Sequence, residues 1–286
     1  MNVLLHNVVS DITGVTGMRI IHAILEGERN PHVLAQMRDK RCKNSIETIE
    51  KSLEGNYRAE HIFSLKQAVE GFEFYQAQIA VCDAQIEAHL ATFESVAKDD
   101  AVSTSEKKKP TKRRRSEPPF NLQSELHRVT GVDLTRINSI STTTAMIVIS
   151  EIGLDMSRWK SEKQFSSWMG LSPGNKISGG KRLSGKTKPV VNRAANALRM
   201  AAQTLERTHC ALGAYYRRMK ARLGAPKALT AAAHKLACII YQMLKNGTEY
   251  VEVGQEHYEQ RYKSRAIHSL KKRAQQFGFE LVESKM

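Results

Sequence analysis

The sequence predicts an all-α protein. Three observations carry this expectation. Apolar residues recur at alternating spacings of three and four, most clearly at Ile62, Leu65, Val69, Phe72, Ile79, Ile86, Leu90 and Phe93. Small residues cluster where helices would pack closely, as at Ala194, Ala195, Ala197, Ala201 and Ala202. Runs of alternating β-branched residues are few.

Residues 1–97 read as a helical region. Asp11 opens an Asp-Ile-Thr-Gly stretch, and Gly14 and Gly17 bracket an expected break. Met18, Ile20, Ile21, Ile24 and Leu25 then form an apolar helical face that stops at Gly27. Arg29-Asn30-Pro31 reads as a turn. The heptad helix spans about 58–95, with Gln76 and Asp83 in two slots of its seam. Such a seam serves a coiled coil between subunits or a hairpin helix within one chain.

Residues 98–120 read as a basic Pro/Ser linker. It carries Lys107, Lys108, Lys109, Lys112, Arg113, Arg114 and Arg115, then Pro118 and Pro119. Like charges at this density repel and keep a chain extended. The segment suits a solvated run, or an arm that grips phosphates without reading sequence.

Residues 121–250 read as a helical C-terminal domain. Leu134 to Ile152 has the shape of a helix-hairpin-helix unit, with Ser139 and Ser141 where the usual hairpin has glycines. Such hairpins offer backbone amides to a DNA phosphate; serines in place of the glycines weaken that docking, so plain packing is an equal reading. Trp159, Phe165, Trp168 and Leu171 predict a small core helix stopped by Pro173. Val191 to Lys220 predicts one long helix with a basic face of Arg193, Arg199, Arg217 and Arg218. Gly224-Ala225-Pro226 breaks it. Leu229 to Lys245 continues as a helix carrying His234, and Glu256 to Gln276 forms a charged last helix within residues 251–286.

The chain has 286 residues, with 44 Lys and Arg against 29 Asp and Glu, a formal charge of +15. That excess favours a polyanionic partner, most often nucleic acid. No apolar run is long enough to span a membrane, and the first residues lack the pattern of a secretory signal. Cys42, Cys82, Cys210 and Cys238 are scattered, which predicts free core thiols in a reducing cytoplasm.

The stretch from Ile177 to Thr187 concentrates glycines, hydroxyls and cations. Residues 180–187 spell G-x-x-x-x-G-K-T, the nucleotide P-loop. That motif needs a buried strand before it and a helix starting at its Lys-Thr. Here breakers precede it, and Pro189 follows where a helix would be in its first turns. The other reading is a phosphate-binding element with a serine nucleophile. Ser178 would attack a phosphodiester, or the stretch would serve as a pure backbone clamp for DNA or RNA. Gly179, Gly180, Lys181, Arg182, Lys186, Thr187, Lys188, Arg193 and Arg199 would meet phosphate oxygens. Asp133, Glu151 and Asp155 lie near in sequence, but no carboxylate cluster with metal-ligand spacing accompanies them.

The stretch from Gly170 through Leu171, Ser172, Pro173, Gly174, Asn175 and on to Arg199 resembles the C-terminal domain of the Piv-invertase-like insertion-sequence transposases, insertion-sequence family one-ten. So do the flanks at 131–137, 150–156, 213–218 and 233–237, and the Val9–Gly17 segment. The resemblance covers essentially the whole chain. It implies DNA cleavage and rejoining by two cooperating sites. One is a RuvC-like domain holding Mg2+ through a D-E-D-D carboxylate set. The other is a serine from a Ser-Gly motif, which by position is Ser178 ahead of Gly179, with Ser184 as backup. It further implies element-end and target DNA as partners, a structured guide RNA, subunit assembly through the coiled coil, and a bacterial cytoplasmic, nucleoid-associated location. The RuvC-like domain should precede the Asp-Ile-Thr-Gly segment, which here starts near Met1. The expectation is therefore an N-terminally truncated or split transposase that binds no cofactor by itself. The alternative is a non-catalytic DNA- or RNA-binding remnant.

Overall fold

The structure, a computed structural model, describes residues 1–97, 117–189 and 192–282. The basic linker residues Lys107, Lys108, Lys109, Lys112, Arg113, Arg114 and Arg115 lie outside the described residues. Among the described residues there are twelve α-helices and a single two-stranded ribbon. The fold is all-α, as the spacing of apolar residues predicts. No described helix is long and apolar enough to cross a membrane. The chain divides into two compact units, Met1–Ala84 and Gln85–Met286.

The first unit contains α1 (Leu5–Val8), α2 (Val15–Glu26), α3 (Pro31–Gln36), α4 (Ile46–Leu53) and the start of α5 (Ala59–Ala91). Ile20, Ile24, Leu34, Ile49 and Leu53 form its core, joined by Val69 of α5. Gly17 does not break the chain. It lies inside α2, where an added Cβ would sit 1.9 Å from the Ile12 carbonyl oxygen. It is glycine because the helix packs directly on backbone. Arg29-Asn30-Pro31 is likewise a helix start rather than a free turn. The Asn30 side chain accepts from the His32 amide at 3.0 Å, and Pro31 fills the first helical position.

Helix α5 has 33 residues, about 50 Å at the usual rise. It ends at Ala91, so Phe93 lies beyond it. In its first turns Ile62, Leu65 and Val69 face the core of the first unit. Leu90 belongs to the core of the second. Between them Ile79 and Ile86 are exposed, as are Phe74, Tyr75 and Val81.

The second unit continues with α6 (Leu122–Thr130), α7 (Thr142–Ile152), α8 (Glu162–Trp168), β1 (Lys176–Ser178), β2 (Lys181–Ser184), α9 (Arg193–Thr204), α10 (Ala211–Leu223), α11 (Ala225–Asn246) and α12 (Gln255–Gln276). Helix α11 is the centre, packed against α8, α9 and α10. Ala194, Ala195 and Ala202 of α9 and Ala228, Ala232, Ala233 and Ala237 of α11 are buried, which lets these axes approach closely. Phe165, fully buried, stacks edge-on with Trp159 at 5.0 Å, and the Tyr241 hydroxyl donates to the Trp159 carbonyl at 2.8 Å. Trp168 leans on the rim of this cluster and stays 39% exposed, so it is not the core residue its spacing predicts.

Three boundaries differ from the sequence reading. Helix α8 ends at Trp168, where Gly170 takes φ +67°, before Pro173 is reached. The long helix expected over 191–220 is two helices. The Thr208 hydroxyl bonds the Leu205 carbonyl at 2.9 Å, a local alternative to the helical ladder. Arg217, expected on a basic face, holds this break by donating to the Thr208 carbonyl at 2.8 Å and the Glu206 carbonyl at 3.1 Å. Finally, the helix before the hairpin at 137–141 is a single 3-10 turn, Leu134–Arg136.

Candidate nucleic-acid interface

The stretch expected to be a loop at 176–184 is an antiparallel ribbon. Lys-Ile-Ser and Lys-Arg-Leu-Ser flank Gly179-Gly180, whose φ values of +54° and +73° fit a two-residue hairpin turn with both central residues left-handed. Glycine adopts that conformation without the steric cost that a Cβ imposes. Nothing lies within 4 Å of either added Cβ, so the turn stands clear of the body. The ribbon extends back through an isolated Pro173–Thr187 bridge, with the Gly174 amide donating to the Lys186 carbonyl at 2.9 Å. Residues 180–187 therefore form a strand and its exit, and the next helix starts only at Arg193. This is not the strand-loop-helix geometry of a P-loop.

The ribbon brings Ser178 and Lys181 together as register partners. Ser178 is exposed, and among the described residues its hydroxyl has no hydrogen-bond partner. Ser184 differs: its hydroxyl accepts from the Lys186 amide at 3.3 Å and so pins the ribbon's exit. Lys181, Lys186 and Lys188 are exposed, as are Gly179 and Gly180. Thr187 is half-buried at the bridge. The Arg182 backbone pairs with Ile177, while its side chain lies outside the described residues. Ile177 and Leu183 are 66% and 69% exposed.

The two candidate arginines of α9 each have a side-chain partner, and Arg193 stays exposed. Arg193 pairs with Glu151 at 3.0 Å, tying the start of α9 to α7, and Arg199 donates to Asn196 at 3.0 Å. Asn192, buried, caps α9 by accepting from the Ala195 amide at 2.9 Å. Sequence reasoning passed over it, although Asn before a helical run is a cap signal.

The nearby carboxylates are also occupied, each with a different partner. Asp133 accepts from the Thr135 hydroxyl and amide and from Gln123. Asp155 accepts from the Ser157 amide at 2.8 Å, and hydrogen bonds from Ser157 hold its carboxyl below the usual range. Among the described residues no three His, Cys, Asp or Glu side chains gather as a metal would need. The donor set described here does not fit a magnesium centre.

Ser139 occupies the first glycine position of the 137–141 hairpin. It adopts φ +84°, the glycine conformation, and its buried hydroxyl has no partner among the described residues. Ser141 caps α7 by accepting from the Thr144 amide at 3.1 Å. A carboxylate from far along the chain holds this corner. Glu252 accepts from Asn138, from the Ala211 and Gly254 amides, each at 2.9 Å, and from the Tyr250 hydroxyl. Nothing in the local sequence around Glu252 signals this role, because its donors come from three separate segments.

No curated protein matches the chain. Residues 133–217, from the cap of the 3-10 turn through the ribbon and into α10, match the sequence model of the Transposase IS116/IS110/IS902 family, and in this segment the chain is similar to those transposases.

Proposed function

We propose that this chain is a DNA-handling transposase component whose β1–β2 ribbon presents Ser178 to a phosphodiester. The carrying observation is a serine hydroxyl that, among the described residues, has no partner, set beside Lys181 at the tip of a basic ribbon, inside the segment similar to insertion-sequence transposases. In the proposed step the Ser178 oxygen attacks phosphorus, an O–P bond forms, and the bond to the leaving deoxyribose oxygen breaks. The serine proton passes to a base supplied by the RuvC-like half, and that group, now an acid, returns it to the departing oxygen. Lys181, Lys186 and Lys188 offset the charge on the non-bridging oxygens. Element-end and target DNA are the proposed substrates, with a structured guide RNA as a further partner. The exposed Ile79 and Ile86 of α5 fit self-association through that helix.

The test is strand transfer on element-end DNA with guide RNA and a RuvC-like half supplied in trans. Ser178→Ala should abolish transfer, whereas Ser184→Ala should retain it. A Ser178→Ala protein as active as the wild type removes the nucleophile assignment.

The scattered, individually engaged carboxylates favour a second reading, in which the chain binds nucleic acid without cutting it. That reading predicts binding that weakens steeply with salt and no magnesium-dependent cleavage by the chain alone.

A further inference from the structure

A second site lies away from the ribbon, between α10 and α12. Ala214, Arg217, Arg218, Tyr258, Glu259 and Tyr262 line a cleft of about 260 Å³. This is just under the ~300 Å³ at which whole-cofactor pockets begin, so it suits one planar ring and its substituents. The Arg218 guanidinium lies 3.8 Å from the centre of the Tyr262 ring and 4.8 Å from that of Tyr258. Among the described residues no carboxylate pairs with Arg218. Its charge is held by two aromatic faces and its N–H groups remain available. Tyr262 is 49% exposed, so the ring that stacks on Arg218 also offers surface to solvent. The Tyr258 hydroxyl is buried, with no partner among the described residues.

The surroundings are cationic. Arg265 acts electrostatically on the Tyr258 hydroxyl, and Arg218 and Arg222 act on that of Tyr215. One carboxylate, Glu259, stands on the same rim, held by Gln255 at 2.7 Å. A bare phosphate would meet that carboxylate as a like charge. A nucleotide would not be so opposed, because the amino group of a base can donate to Glu259 while its phosphate meets arginine.

We infer that this cleft binds one unpaired nucleotide of a single strand. Its base stacks on the exposed surface of Tyr262 and its phosphate pairs with Arg218. A base inside a duplex is already stacked on both faces and cannot enter. The inference rests on the reading that the chain handles nucleic acid, but not on Ser178.

The test uses the full chain and short dye-labelled oligonucleotides of one sequence, as single-stranded RNA, single-stranded DNA and duplex DNA, read by fluorescence anisotropy. Tyr262→Ala should weaken single-strand binding by about tenfold or more and leave duplex binding unchanged, while Tyr262→Trp restores it. Thiouridine-substituted RNA should photocrosslink within residues 255–265. The RNA and DNA arms show which strand is the natural source. Single-strand binding indifferent to Tyr262, an equal loss on duplex, or failure of Tyr262→Trp to restore would overturn the cleft assignment. Ser178→Ala and a Lys181→Ala, Lys186→Ala double variant run in parallel. If strand transfer proves independent of Ser178 while single strands still depend on Tyr262, the nucleophile reading fails and the cleft stands. If duplex binds and single strands ignore Tyr262, only the cleft fails.

Discussion

Ser178 and Lys181 are partners on the closing rung of the β1–β2 ribbon, with only Gly179 and Gly180 between them. Directly opposed residues of an antiparallel pair share a face. The hydroxyl and the cation are therefore carried as a unit, and the turn that joins them controls both.

Gly180→Val should separate folding from function. At φ +73° a side chain costs about 1–2 kcal/mol or more, and an isolated two-stranded ribbon has little stability to spare. The helical core does not depend on the ribbon, so thermal unfolding should match the wild type while strand transfer collapses. A variant that transfers strands normally would detach the ribbon from the chemistry.

Gly17→Ala should do the reverse. Its Cβ would fall 1.9 Å from the Ile12 carbonyl oxygen, so backbone must move inside α2. The expected loss is about 3 kcal/mol, the upper end for overpacking, read as a lower urea midpoint for the first unit.

Ser139→Gly should stabilise the second unit by about 1 kcal/mol. The substitution relieves a left-handed serine and removes a buried hydroxyl without a partner among the described residues. The added freedom of glycine in the unfolded chain offsets part of that gain. A melting temperature that falls would show that the hydroxyl has a role.

The cysteines should separate by reactivity. Cys82 is exposed and Cys42 half-buried, while Cys210 and Cys238 are buried; the set is not the four core thiols the sequence predicts. Burial pushes the Cys238 thiol up to about 11. The thiolate is the reactive form, so iodoacetamide at neutral pH should label Cys82 and spare Cys238 in mass spectra. The unfolded chain loses this thiol proton at lower pH than the folded one. The contribution is therefore present below the ordinary thiol value and lost as pH rises toward 11.

Much of this architecture was legible in periodicity. Helix α5, the alanine-rich α11 and the charged last helix α12 all appear close to where the sequence pattern puts them, because those signals are local. The ribbon was not read as a ribbon, although two short strand-like segments around Gly179-Gly180 carry a hairpin signal. The same residues carry a phosphate-loop signal, because glycines and cations serve both a hairpin turn and an anion site. The split between α9 and α10 escaped because its cause is a hydroxyl bond from Thr208 and a clamp from Arg217, neither visible as periodicity. Of the candidate site, Ser178 and the lysines were legible by type. The diversion of Arg193 to Glu151 and of Ser184 to the Lys186 amide was not, since partners distant in sequence decide it or fine turn geometry does. The tyrosine and arginine stack was hidden for the same reason: Arg218 and Tyr262 meet only when α10 and α12 pack.

Ile177 and Leu183 carry a thermodynamic consequence. Each is about two-thirds exposed, on a ribbon that no third strand supports. When the ribbon engages a partner, that apolar surface leaves water and the ladder gains the backing it lacks. Calorimetry of the engagement should then register a negative heat-capacity change, which phosphate contacts alone do not produce. The ribbon would reach its final order in the complex, trading some affinity for the ability to conform to more than one substrate shape.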